Sequence, residues 1–91
     1  MYEIKVASLK VEKELAQILN QDRKKVIKSV RKLAEEPRPK GIKFLGPNVY
    51  RLRVGKYIAI YKVFEKDKLV LIGRFARRSE KTYRGLKELF R

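Results

Sequence analysis

The 91-residue chain contains no cysteine, no histidine and no tryptophan. Without cysteine it can form no disulfide, offer no thiolate nucleophile and hold no Cys-ligated zinc or iron–sulfur cluster. Without histidine it lacks an imidazole base and the side chain that most transition-metal sites require. We therefore expect no bound metal and no cofactor, and any catalysis must use Arg, Lys, Tyr or carboxylate side chains.

Long apolar runs are also missing. No apolar run approaches the roughly 20 residues needed to span a bilayer. The first six residues carry Glu3 and Lys5 inside their short apolar stretch, which is not the pattern of a signal peptide. We expect a cytoplasmic protein with no membrane partner.

Acidic residues are scarce, with 10 Asp+Glu against 25 Lys+Arg and a net charge of +15. Most of the excess lies in residues 37–91, which hold 16 basic and 4 acidic side chains. Such a surface repels itself, so a polyanionic partner is expected, with nucleic acid ahead of an anionic membrane surface. The length and the 44% hydrophobic content predict a single domain over residues 1–91.

The pattern of apolar residues predicts the elements. A strand over 2–7 precedes a helix over 9–19 and a second helix that starts at Asn20 or Asp22 and ends near Glu36, before Pro37 and Pro39. Residues 40–48 indicate a loop with a brief extended piece. Strands are predicted over 49–54, 57–64 and 68–75, and a short helix over 79–91. This order predicts an α+β fold, with the helical hairpin on one face of a mainly antiparallel four-stranded sheet.

The strand over 49–54 alternates in a way that separates two faces. If Tyr50, Leu52 and Val54 point into the core, Arg51 and Arg53 must point out. Two adjacent guanidinium groups on an open sheet face favour a phosphate-containing ligand, because planar guanidinium suits bidentate phosphate contacts.

The same region resembles the RelE family of toxins from toxin–antitoxin systems. The segment Val49 to Tyr61 is similar to the family's "YRxRvGdYRviY" hairpin, and residues 76–83 resemble its C-terminal "xxRxxxxxY" element. Residues 43–46 resemble its "kLkG" motif, so the resemblance covers nearly the whole chain.

The resemblance implies a ribosome-dependent endonuclease that cuts mRNA codons in the A site, without metal, by attack of the ribose 2′-OH on the adjacent phosphate. By resemblance, Arg51 and Arg53 bind mRNA phosphate, Arg77 contacts the scissile phosphate, and Tyr83 orients or deprotonates the 2′-OH. These four are the candidate catalytic residues. Further RNA-binding candidates are Lys56, Arg74 and Arg78. The implied partners are the ribosome, mRNA and an acidic RelB-like antitoxin.

The sequence departs from the family pattern at one important position. Where many active RelE proteins have an Arg after the hairpin Tyr, this chain has Ile58, and Lys56 replaces the family's acidic residue. One alternative that therefore stays open is a catalytically weakened RelE-like module, which binds RNA or ribosomes and blocks translation without cutting RNA. A further alternative is the related ParE type, which shares the fold but inhibits DNA gyrase.

Several of these side chains also have a purely structural interpretation. Arg51 and Arg53 could form a solvated strand face, and Tyr83 could pack on the sheet with Leu86 and Phe90. Tyr50, Tyr57 and Tyr61 are interpreted as packing residues. The basic residues between Arg23 and Lys32 are either the solvent face of the second helix or a contact with ribosomal RNA.

Overall fold

A computed structural model of the protein describes residues 1–79 and 89–90. Two helices and five strands follow one another in this part of the chain. In chain order they are β1 (Glu3–Val6), α1 (Leu9–Ala16), α2 (Asn20–Arg31), a 3-10 turn (Lys32–Ala34), β2 (Lys43–Gly46), β3 (Val49–Val54), β4 (Tyr57–Phe64) and β5 (Leu69–Arg77). The strands form one sheet in the order β1-β5-β4-β3-β2. β1 pairs parallel to β5, and the other neighbours are antiparallel.

The predicted α+β architecture is confirmed, but the predicted strand count of four is wrong. The additional strand is β2, which lies in the segment predicted as a loop with a brief extended piece. Its ladder with β3 is short and changes register between Phe44 and Gly46. Such a strand is held by its neighbour rather than by its own alternation, so its local sequence signal is weak. The C-terminal helix predicted over residues 79–91 lies outside the described residues, apart from Ser79, Leu89 and Phe90.

The two helices cover one face of the sheet, as predicted. Their apolar sides meet the inward-facing residues of β4 and β5 in a core that contains no charged side chain among the described residues. Burial of this apolar surface is the main favourable term in folding such a small domain. The buried residues of this core are Val11, Ile18, Val26, Val30, Leu33, Tyr57, Ala59, Tyr61, Val63, Val70, Ile72 and Phe75. Within the described part of the chain, no helix has the length and apolar character to cross a bilayer.

A polar network fixes the segment that follows the helices to the sheet. The buried Tyr61 hydroxyl donates a hydrogen bond of 2.7 Å to the Pro37 carbonyl oxygen. Next to it, the Arg38 Nε donates to the Tyr50 hydroxyl at 2.8 Å, and its guanidinium forms an ion pair with Glu65. Burial raises the pKa of the Tyr61 hydroxyl well above its ordinary value, so this group remains neutral and serves as a donor.

Gly73 marks an irregularity in β5. The β4–β5 ladder pairs Tyr61 with Ile72 but Ile60 with Arg74, which leaves Gly73 as an extra residue. A Cβ placed on Gly73 would lie 2.9 Å from the Leu89 Cβ and 2.7 Å from a ring carbon of Phe90. Gly73 therefore provides both the bulge and the space into which these C-terminal residues pack.

The hydrogen bond of Tyr61 gives a first prediction. Tyr61→Phe leaves the Pro37 carbonyl without its donor, and we expect the free energy of unfolding to fall by about 1–2 kcal/mol. Tyr57→Phe is the matched control, because Tyr57 is also buried but its hydroxyl has no hydrogen bond within the described residues; its effect should stay within about 0.5 kcal/mol. Urea unfolding followed by circular dichroism measures both. Equal losses in the two variants would contradict the structural role of Tyr61.

The packing at Gly73 gives a second prediction. Gly73→Ala overlaps the Leu89 Cβ, which side-chain rotation cannot move, so overpacking should lower the free energy of unfolding by about 1–3 kcal/mol. It should also speed hydrogen exchange at the amides of Leu89 and Phe90. Gly46→Ala is the control, since a Cβ there meets no atom within 4 Å. If the two alanine variants behave alike in unfolding and exchange, the close packing on Gly73 does not hold the C-terminal residues.

Candidate nucleic-acid interface

The face of the sheet opposite the helices carries the predicted arginine pair. Tyr50, Leu52 and Val54 pack against the helix-side core, as strand alternation predicts. Arg51 and Arg53 therefore lie on the other side of β3, which we call the outer face. Arg53 is exposed and Arg51 is half-buried.

Cross-strand pairing adds a third arginine to the outer face. Arg51 pairs with Ile60, and Ile60 pairs with Arg74, so the three residues form one row across β3, β4 and β5. Neighbouring strands lie about 4.8 Å apart, which puts the backbones of Arg51 and Arg74 about 10 Å from each other. The neighbouring row is Arg53, Ile58 and Ala76. The outer face thus has cations on both sides of an isoleucine, a spacing that a phosphodiester chain can span.

Between these cations runs an apolar strip. Ile58, Ile60 and Ala76 are buried together, and Leu89 and Phe90 pack against them. Ile58, where the RelE resemblance leads one to expect an arginine, is only 2% exposed. An ionised guanidinium buried at this point would need an acidic or hydrogen-bonding partner, since burying an unpaired charge is costly. The isoleucine that stands in place of the family arginine is thus part of a locally apolar surface.

Arg77 does not lie on the outer face. It pairs with Tyr57, and Tyr57 and Phe75 both belong to the helix-side core. The bulge at Gly73 is the reason: Ile72 and Phe75 both point toward the helices, so the alternation of β5 shifts by one residue between them. The structure brings Arg74 onto the face of Arg51 and Arg53 and turns Arg77 away.

Arg77 instead joins a second group of cations at the end of the sheet. The backbone N–H of Arg78 donates to the Lys56 carbonyl oxygen at 2.7 Å, which holds the β3–β4 turn against the chain after β5. Lys56, Arg77 and Arg78 line an open cavity of about 370 Å³ together with Leu19 and Asp22. All three basic residues are exposed. This end of the sheet is therefore a second basic surface among the described residues.

Other predicted features have simpler outcomes. Tyr83 lies outside the described residues. Tyr57 and Tyr61 are buried and Tyr50 packs against the core, which confirms their interpretation as packing residues. Within residues 1–79 and 89–90, no group of three or more acidic side chains is placed to hold a metal ion.

Sequence reasoning missed Gly73, although an isolated glycine inside an apolar strand pattern is a known signal of a bulge or a close backbone approach. It also missed Arg38, whose contacts with Tyr50 and Glu65 join segments far apart in the chain. No local pattern around Arg38 identifies those partners.

The fold is similar to those of solved RelE toxins. A chain of the archaeal RelE–RelB complex from Pyrococcus horikoshii matches with a TM-score of 0.76 and 29% identity, over 87% of this chain and 97% of that one. The isolated RelE toxin of E. coli matches with a TM-score of 0.77 and 19% identity, over 90% and 89%. A chain of the intact E. coli RelBE complex matches with a TM-score of 0.74 and 22% identity, over 88% and 100%. No curated protein sequence matches this chain.

A family model also matches the sequence. It describes the ParE toxin of the type II toxin–antitoxin system parDE, and the match spans residues 7–82, which include both helices and all strands but β1. The resemblance to RelE toxins that the sequence shows is thereby confirmed at the level of the RelE/ParE superfamily. The chain belongs to the ParE toxin family of type II toxin–antitoxin systems, on a fold that it shares with RelE toxins.

Proposed function

We propose that this toxin cleaves mRNA on the ribosome, with the outer face as the surface that receives the RNA backbone. The observation that supports this is the placement of Arg51, Arg53 and Arg74 on one sheet face, across three strands, in a chain with the fold of RelE toxins. Rigid strands hold these side chains in place, so little reorganisation is needed when phosphate arrives.

The proposed chemistry needs no group beyond the RNA and the protein. The ribose 2′-oxygen attacks the adjacent phosphorus, its bond to phosphorus forms, and the bond from phosphorus to the 5′-oxygen breaks. The products are a 2′,3′-cyclic phosphate and a 5′-hydroxyl, with one proton leaving the 2′-OH and one reaching the 5′-oxygen. Cations near the phosphorus stabilise the extra negative charge of the transition state, usually a large electrostatic contribution.

The residues on the outer face change which arginine we propose as the contact of the reacting phosphate, compared with the roles that the family resemblance implies. Arg74 lies in line with Arg51 and is the better placed cation for a phosphate on this face. Arg77, Lys56 and Arg78 at the sheet end are proposed to hold the RNA chain as it leaves the outer face. Tyr83 remains the proposed group for the 2′-OH; its pKa would have to fall from about 10 in the positive field for it to act as a base.

An acidic antitoxin is the proposed protein partner. Two of the three solved structures described above are toxin–antitoxin complexes, from P. horikoshii and E. coli. A chain with a net charge of +15 would bind an acidic segment favourably, and such a segment could neutralise the outer face.

The cleavage proposal predicts which substitutions abolish activity. Arg51→Gln combined with Arg53→Gln should reduce A-site cleavage of mRNA on programmed ribosomes by about 100-fold or more, because it removes preorganised phosphate contacts. Arg74→Gln should act similarly. Lys66→Gln, on the exposed β4–β5 turn, is the control and should cleave normally. Primer extension on the mRNA measures all four proteins, and unfolding curves confirm that each is folded.

Two outcomes would contradict this proposal. If the unaltered protein leaves mRNA on programmed ribosomes intact, it is not a ribosome-dependent nuclease. If only Arg77→Gln removes cleavage, the reaction takes place at the Lys56–Arg78 end of the sheet and not on the outer face.

The ParE family match supports a second candidate function, inhibition of DNA gyrase. A supercoiling assay with purified gyrase distinguishes the two candidates. Inhibition of supercoiling together with intact mRNA would favour the gyrase inhibitor, and normal supercoiling with A-site cleavage would favour the nuclease.

Because Ile58 is buried, we expect that replacing it with the family arginine will not create a phosphate-binding site. Ile58→Arg places a charge in the strip beneath Leu89 and Phe90, so we expect the free energy of unfolding to fall by about 2 kcal/mol or more, with no gain in cleavage. Ile58→Met is the control and should cost less than about 1.5 kcal/mol. Increased cleavage by a normally stable Ile58→Arg protein would instead show a site that lacks only this cation.

A further inference from the structure

The helix layer carries a third basic surface, on the side of α2 that faces away from the sheet. Val26 and Val30 are the buried residues of α2 and point toward the core. Helical spacing places Lys24, Lys28 and Arg31 on the opposite side, and Lys32 extends the row into the 3-10 turn. We call these four residues the α2 basic row. They line an open groove of about 460 Å³ with Ile27 and Glu35.

No ion pair among the described residues balances the charges of the α2 basic row. The ion pairs among the described residues are Lys5–Glu3 and Arg38–Glu65, and neither involves the row. Lys28 lies four residues from both Lys24 and Lys32, a spacing at which like charges on a helix repel and destabilise it. Among the residues that the structure describes, Glu35 is the one acidic residue that lines the groove. A bound polyanion would relieve this repulsion.

The groove fits a phosphate backbone better than a protein segment. Protein interfaces have an apolar core with aromatic anchors, whereas the described residues that line this groove include no aromatic side chain, and its apolar surface comes from Ile27 and the aliphatic stems of the basic residues. The exposed large apolar residues among those described lie elsewhere, at Met1, Leu9, Leu19 and Phe44. Along the helix, Lys24, Lys28 and Lys32 follow one another at about 6 Å, which offers a regular row of point charges to a regular row of phosphates.

We propose that the α2 basic row is a second nucleic-acid contact, which binds the phosphodiester backbone of RNA without reading its sequence. The helices separate the row from the outer face, so the protein presents cations on both sides and can hold two RNA segments at once. Because the row acts by charge alone, this inference stands whether or not the outer face cleaves RNA.

The test compares two triple variants that lose equal charge. One is Lys24→Gln, Lys28→Gln and Lys32→Gln. The control is Lys10→Gln, Lys13→Gln and Lys66→Gln, three lysines that are likewise exposed but lie outside the row. Fluorescence anisotropy measures binding of a labelled uridine homopolymer at a series of salt concentrations, without ribosomes, and circular dichroism checks that both variants are folded.

For the row variant we expect the slope of log K against log salt to become shallower by about 2, since each phosphate contact on a single strand contributes about 0.7. The control should keep the slope of the unaltered protein. Equal changes in both variants would mean that only net charge matters and would overturn the proposal. If the row variant binds RNA normally but loses binding to polyglutamate, the surface serves an acidic protein instead, which also overturns it.

This experiment is independent of the nuclease proposal. Arg51 and Arg53 are unaltered in both triple variants, and the homopolymer assay contains no ribosome. Loss of homopolymer binding with intact A-site cleavage would support the α2 basic row alone. Normal homopolymer binding by the row variant, with no cleavage by any protein, would contradict both proposals.

Discussion

The bulge at Gly73 is the constraint on which the arrangement of the site depends. One unpaired residue shifts the alternation of β5, so that Ile72 and Phe75 both face the helices. The shift places Arg74 beside the β3 arginines on the outer face and turns Arg77 to the helix side. The missing side chain of Gly73 also leaves the space that Leu89 and Phe90 occupy. This single glycine therefore determines which β5 arginine joins the outer face and how the apolar strip is covered.

The two layers of the fold, the helices and the sheet, also determine where the basic residues lie. The described core holds no charged side chain, so the basic residues lie at the surface, and two of the basic surfaces lie on opposite sides of the molecule. One surface is a sheet face, where arginines alternate with a buried apolar strip. The other is the outside of α2, where lysines follow one another along a helix. The planar guanidinium fork of arginine suits bidentate contact with a phosphate, whereas the lysine ammonium acts as a point charge on a flexible stem.

Much of the fold could be predicted because its signals are local. The strands Val49–Val54 and Tyr57–Phe64 and their two-residue turn follow from alternation and from Gly55, and both helices follow from their apolar spacing. The N-terminal helix ends at Ala16 rather than at the predicted residue 19, and α2 passes into a 3-10 turn after Arg31. β2 was not predicted as a strand of the sheet, because its short irregular ladder depends on β3.

The sequence by itself determined the fold class, the outward direction of Arg51 and Arg53, and the large positive net charge, which favours a polyanionic partner. These follow from residue spacing and net charge, which need no knowledge of distant contacts. Only the tertiary structure placed Arg74 rather than Arg77 with that pair and buried Ile58 beneath the C-terminal residues. A bulge becomes visible only when two strands are paired, because it is a mismatch between partners and not a property of either strand alone.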